Sequence, residues 1–269
     1  MIDAWLDLPI GGIFLTLALV YGLTAFAIHW ASFHPPFKGL MHATRGIVPT
    51  YLSAIGVLSA LLIGFLANDI SDRNHRATRT VLTEGNALIA LDALSRVSDK
   101  MPPELHQAMR HYAFSALTDE WARMSHGATS ETTARALDRL AQIVASPEVG
   151  HIAGPTLQAS LLQATLAVGN ARAERLALNS DHSNEIKWAS VLILSLLTMV
   201  AIGFVHLEKP RAQAMALGLY AVSVVIALGL IGIQEYPFDG PTRVTPKPIE
   251  AAIKIMDRGR TASGLASGG

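Results

Sequence analysis

Gly46–Asn68 reads GIVPTYLSAIGVLSALLIGFLAN, 23 residues between Arg45 and Asp69 without a charge. Crossing the hydrocarbon core as a helix takes about 20 mostly apolar residues, because unpaired charge is costly there and backbone groups must bond within the segment. A helix buried in a soluble protein usually keeps a charged face, and this run has none. The stretch therefore reads as a membrane span, with Pro49 near its entrance.

Three more uncharged runs flank it, between Asp7 and Lys38, between Lys187 and Glu208, and between Arg211 and Glu235. The first should span from Ile10 to Phe33. Its leader, MIDAWLD, has two acids and no Lys or Arg, which is no signal-peptide pattern, so the span is expected to stay in place. Four spans in two hairpins put both termini and the long insertion on one side. The reading is an all-α integral membrane protein with a first hairpin (1–68), an extramembrane helical domain (69–187), a second hairpin (188–234) and a Pro/Gly-rich arm with a disordered tail (235–269).

Composition agrees. The 269 residues are 51% hydrophobic and 16% charged, against roughly 25% charged in an ordinary soluble domain. Lys plus Arg and Asp plus Glu both number 21, so no basic excess exists to hold nucleic acid. With no cysteine, disulfides, thiol nucleophiles and Cys-ligated metals are excluded together. Orientation is divided: Lys38, Arg45, Lys209 and Arg211 crowd the short turns, while Arg73, Arg76, Arg79, Arg172, Arg175 and Lys187 lie on the other side.

The insertion carries 12 basic and 14 acidic residues and has helical periodicity throughout. Val81, Leu88, Leu91 and Leu94 line one face of a helix continuing the second span into water. After MPP, with Pro102 at the start, Leu105, Met109, Tyr112, Leu117, Trp121 and Met124 mark a helix ending near Gly127. Thr129 or Ser130 caps a third, carrying Leu137, Leu140 and Val144 up to Pro147. A fourth runs from about Thr156 through Leu157, Leu161, Leu166 and Leu176 toward the third span. Beyond the fourth span, EYPFDGPTRVTPKP holds too many prolines for a helix and predicts an extended arm, with TASGLASGG disordered.

No catalytic or metal constellation stands out. HExxH, G-x-S-x-G and P-loop patterns are missing, and His106 and His111 do not share a helical face well. His29, His34 and His206 lie in or beside spans, where an ionisable group is a functional candidate or an interfacial residue. The second span carries a more telling pattern. Gly56, Ala60 and Gly64 recur every four residues, a small-residue strip that lets another helix approach closely. Beside them Val57, Leu61 and Phe65 repeat the spacing, and in a ring of subunits they could line an apolar constriction.

GVLSALLIGFLANDI at Gly56–Ile70, EGNALIAL at Glu84–Leu91, YAFSALTDEW at Tyr112–Trp121, NARAERLALN at Asn170–Asn179 and YPFDG at Tyr236–Gly240 resemble the bestrophin-like DUF4239 membrane proteins. The resemblance covers roughly Gly46 to Pro248. A more distant one is to bestrophin anion channels, whose second membrane helix bears an apolar neck at i, i+4 and i+8 ending in a Gly-Phe pair. It implies Val57, Leu61 and Phe65 as neck positions, a homo-oligomer (tetramer or pentamer), a cytoplasmic domain and small anions such as chloride as cargo. The chain departs in having one aromatic at the neck and no acidic run like the calcium clasp of animal bestrophins.

Two functions follow. An oligomeric channel in the cell (inner) membrane would assemble through Gly56, Ala60 and Gly64, with Arg73, Arg76 and Arg79 supplying positive potential at one mouth; their alternative role is membrane-flank pairing with Asp69 and Asp72. A non-conducting scaffold would bind a partner through the helical domain. No cofactor is implied, and a lipid-modifying enzyme would have only His29, His34 and His42 to use.

Overall fold

A computed structural model describes residues 2–34, 39, 48–125, 127–180 and 185–266, and among them every regular element is helical. The elements are α1 (Ile2–Leu6), α2 (Ile10–Phe33), α3 (Val48–Ser95), α4 (Pro103–Ser115), a π-helical turn (Ala116–Glu120), α5 (Trp121–Met124), α6 (Glu131–Val144), α7 (Pro147–Ser180), α8 (Glu185–Val205), α9 (Pro210–Gly232) and α10 (Lys247–Ala266). Among the described residues, four segments are long and apolar enough to cross a membrane: α2, the apolar part of α3, α8 and α9. The chain divides into two compact units, one of residues 1–72 with 183–235, the other of residues 73–182 with 236–269.

In the first unit α2 packs against α8 and α9, and α8 against α9. Glycines set the contacts: Gly203 faces Ile28, Gly229 faces the Phe14 ring, and Gly232 faces Leu6, Ile13 and Trp188. Missing side chains let helices approach closely where apolar burial gives no driving force of its own. Polar side chains close the seams. Tyr21 on α2 pairs with Ser195 on α8, and the Tyr220 hydroxyl of α9 donates to the Ser195 carbonyl at 3.1 Å.

Hydrogen bonds also report the two-hairpin topology. At one end of the spans Lys187 pairs with Asp69 at 2.8 Å, and the indole of Trp188, edge-on to Trp5, donates to buried Glu235 at 3.1 Å. At the other end Gln213, fully buried at the start of α9, accepts from His29 Nδ1 at 2.9 Å and donates to Ser32 Oγ at 3.0 Å and the Gly203 carbonyl at 2.7 Å. The end of α2, the end of α8 and the start of α9 therefore share one side, and Asp69, Lys187 and Glu235 the other.

The second unit has its own core. Ala77, Val81, Leu88 and Leu91 of α3 meet Leu105, Met109 and Tyr112 of α4, Leu140 and Val144 of α6, and Leu161 and Val168 of α7. The α3 helix continues without a break from the membrane segment, as its periodicity predicts, and is about 72 Å long at 1.5 Å per residue. Pro102 is the N-cap of α4. Ser130 caps α6, its Oγ accepting from the Thr133 amide at 3.1 Å.

Expectations are refined at four points. The helix expected from Pro102 to Gly127 is interrupted by the π turn, in which the Trp121 amide reaches back to the Ala116 carbonyl. The fourth helix resumes at Pro155, beside its expected start near Thr156, and is preceded by a short helical stretch from Pro147 that breaks at Gly154, whose φ of 74° a side chain would strain. Leu166 of that helix is exposed. The tail is not an arm throughout: Lys247–Ala266, with Pro248 in its first turn, forms α10, which buries Ile249, Ala252 and Met256 in the second unit. Its apolar residues at spacings of three and four supply one buried stripe. The turn bearing Lys38, His42 and Arg45 and the junction at 181–184 lie outside the described residues.

Candidate functional site

Along α3 the membrane-spanning segment turns one face into its own unit and leaves another uncovered. Ser59, Leu66 and Ile70 are buried. Val57, Leu61 and Phe65 are 60%, 50% and 67% exposed. At about 100° per residue these three lie within about 80° of one another around the helix, so the i, i+4, i+8 spacing makes one apolar stripe. The small-residue strip lies beside it. A Cβ built on Gly56 or Gly64 meets nothing within 4 Å, so these glycines make no close helix contact inside their own subunit.

The three arginines beyond the span are not equivalent. Arg76 and Arg79 are exposed, whereas Arg73 is 4% exposed and turned inward. Three residues after Ile70 and four before Ala77, both buried, position 73 falls on the buried face of α3, which sets Arg73 apart from Arg76 and Arg79.

The motifs of the second unit converge on one buried charge network. Arg175 of α7, fully buried, donates to Glu84 through Nε at 2.7 Å and Nη2 at 3.0 Å, and to Glu120 Oε2 at 2.9 Å. Arg172, one turn earlier, binds Glu120 through Nη2 at 2.5 Å and through Nε. The Tyr112 hydroxyl donates to Glu84 Oε1 at 2.7 Å. The Trp121 ring lies 5.5 Å from the Arg175 guanidinium and meets Phe238 edge-on at 5.8 Å. Glu84 comes from EGNALIAL, Tyr112, Glu120 and Trp121 from YAFSALTDEW, the arginines from NARAERLALN, and Phe238 from YPFDG.

Burial alone would lower the Arg175 pKa, but attraction and hydrogen bonding from Glu84, with Tyr112 and Glu120, drive it upward. Burial, then the neighbouring Glu84 charge, pushes the Tyr112 pKa well above that of an ordinary phenol. The network joins Glu84 and Glu120 to Arg172, Arg175 and Tyr112 through hydrogen bonds within the second unit. Its sequence signal was the pairing of acidic and basic residues inside apolar motifs, which spacing alone could not match to partners 91 residues apart.

The candidate histidines are accounted for individually. His29 is fixed by Gln213, His206 by the Ile202 carbonyl, and His34 by the Trp30 carbonyl. Among the described residues, no three His, Asp or Glu side chains gather to hold a metal. Ser95 and His106, 3.1 Å apart, do not form a nucleophilic pair: the serine is fully buried and its hydroxyl also bonds the Asp92 carbonyl.

Fold and site together define a helical integral membrane protein whose second span runs on into an inserted helical unit. A family model, the bestrophin-like domain, matches residues 19–249. The chain belongs to the bestrophin-like family. The structure is similar to that of a bacterial bestrophin homologue from Klebsiella pneumoniae, with TM-score 0.67 at 12% identity over 91% of this chain and 96% of that one. A mutant of that homologue gives TM-score 0.69 at 11% identity over 90% and 97%. A further solved structure, described as a membrane protein, gives TM-score 0.70 at 10% identity over 90% and 97%. No curated protein matches the sequence.

Proposed function

We propose that the protein is an oligomeric ion channel for small anions such as chloride, in which four or five copies of α3 surround an apolar neck formed by Val57, Leu61 and Phe65. The observation that carries this reading is the uncovered i, i+4, i+8 stripe on α3, in a chain of the bestrophin-like family. An apolar constriction can gate by dewetting, and exposed cations at its mouth raise local anion concentration. Gly56, Ala60 and Gly64 serve as the strip along which the next copy approaches, since nothing in their own subunit fills the space beside either glycine. Arg76 and Arg79 supply the mouth charge.

Purification in mild detergent followed by measurement of the oligomeric mass tests the arrangement. The proposal predicts a defined ring of four or five copies, because one α3 stripe cannot enclose a path. A monomer would make the stripe a lipid-facing surface and overturn the proposal.

A further inference from the structure

Leu166 is 65% exposed, although the other leucines of α7 are buried or half-buried. Its neighbours on the surface are as unusual. From Thr156 to Ala173 every exposed residue of α7 is uncharged: Thr156, Ala159, Gln163, Leu166, Asn170 and Ala173. At spacings of three and four they form one strip about 26 Å long, in which Leu166 is the one large apolar side chain. In the same unit α6 shows what a helix facing water carries, since its exposed residues include Glu131, Arg135, Asp138 and Arg139. Charge is depleted where a surface is buried against a partner.

A complementary surface lies on α3 and α10. Ile89 and Ala93 of α3 and Ile255 and Gly259 of α10 line a groove of about 470 Å³. Its charged members are Asp92, bound to Arg96 at 2.9 Å, and Arg258, so the groove holds one more cation than anion. Glu174, the first exposed charge beyond the strip on α7, has the opposite sign.

The buried ion pair fixes where the two surfaces sit within the unit. Glu84 and Arg175 bond across the core, so α3 and α7 turn those positions toward each other. Ala93 follows Glu84 by nine residues and Leu166 precedes Arg175 by nine, which at about 100° per residue puts each half a turn round its helix from the pair. Groove and strip therefore point away from each other on opposite flanks. They cannot cover one another within a chain. A second copy supplies the partner of each, and a head-to-tail contact repeated with a closing rotation makes a ring.

We propose that the α7 strip of one copy docks on the α3–α10 flank of the next, with Leu166 in the groove. The inference adds a second interface to the ring proposed above and rests on it. A strip about 26 Å by 10 Å has a footprint of roughly 260 Å², well under the ~800 Å² per partner of a free-standing complex. The seam therefore works together with the contact along Gly56, Ala60 and Gly64 and does not hold copies together alone.

The chain has no cysteine, so Ala93→Cys combined with Leu166→Cys in the full-length protein in detergent puts one thiol on each surface. Because the two lie on opposite flanks, a link between them joins separate copies. A flexible bis-maleimide, which tolerates a register error of one helical turn, about 5 Å, should produce a ladder on a denaturing gel that stops at the number of copies found by native mass. Each single variant should run as a monomer on the same gel. Asn170→Cys with Ile255→Cys is a second pair should the first fail to elute as wild type. A ring by native mass with no ladder would overturn the seam and leave the ring standing. Single variants linked as fully as the double would mean that like surfaces meet, which also overturns the seam. A monomer by native mass would remove ring and seam together.

Discussion

Arg175 and Glu84, 91 residues apart in sequence and both fully buried, share two hydrogen bonds of 2.7 and 3.0 Å. Removing one side of such a pair is far more damaging than never having built it, because the remaining charge has neither water nor partner. Arg175→Ala strands Glu84 and deprives Glu120 of one of its two arginines. The expected loss is about 3–5 kcal/mol, read as a lowered unfolding midpoint in detergent. A wild-type midpoint would mean that the network contributes nothing to the fold.

Alkaline pH should attack the same site. The Tyr112 pKa is higher in the folded protein than in the unfolded chain, where it is near 10. Stability from the neutral hydroxyl is fully present below pH 10 and is lost as pH rises toward the folded value. The unfolding midpoint should therefore fall more steeply above pH 10 in wild type than in Tyr112→Phe. At neutral pH the variant should be less stable by about 1–2 kcal/mol, since Glu84 loses a charge-assisted bond.

Gly85 sits beside Glu84 for a different reason. A Cβ there would lie 2.7 Å from the Pro248 carbonyl oxygen at the start of α10. Backbone cannot move aside as a side-chain tip can, so Gly85→Ala should cost about 1–3 kcal/mol. Hydrogen exchange should quicken in residues 249–256 before it changes in α6. Unaltered exchange across α10 would contradict the close contact.

In the membrane unit Gln213 joins α9 to α2 and α8 through three hydrogen bonds. Gln213→Leu keeps the bulk and removes all three. Polar contacts between membrane helices are worth about 0.6 kcal/mol each on average, so the loss should reach about 1–2 kcal/mol, read as earlier unfolding in a detergent titration.

Much of this was legible in the residues. Charge exclusion located the four spans because every charge carries a cost in hydrocarbon, and periodicity placed Val81, Leu88, Leu91, Leu105 and Leu140 inward. The charge network was not legible, since pattern cannot pair Glu84 with Arg175 across 91 residues. Nor was the inward turn of Arg73, where helical phase outweighs the general preference of arginine for water. The prolines after Glu235 hid α10, because the last of them, Pro248, sits in its first turn, where proline is tolerated. The stripe of Val57, Leu61 and Phe65 was visible as spacing, and its exposure on a single chain is the structural fact added to it.

Conduction is the most direct test of the central claim. Reconstituted in a planar bilayer under a KCl gradient, the protein should carry a current that reverses toward the chloride equilibrium potential. Phe65→Ala and Leu61→Ala should change its conductance or selectivity. Absence of current, reversal toward the potassium potential, or indifference to both substitutions would contradict the account.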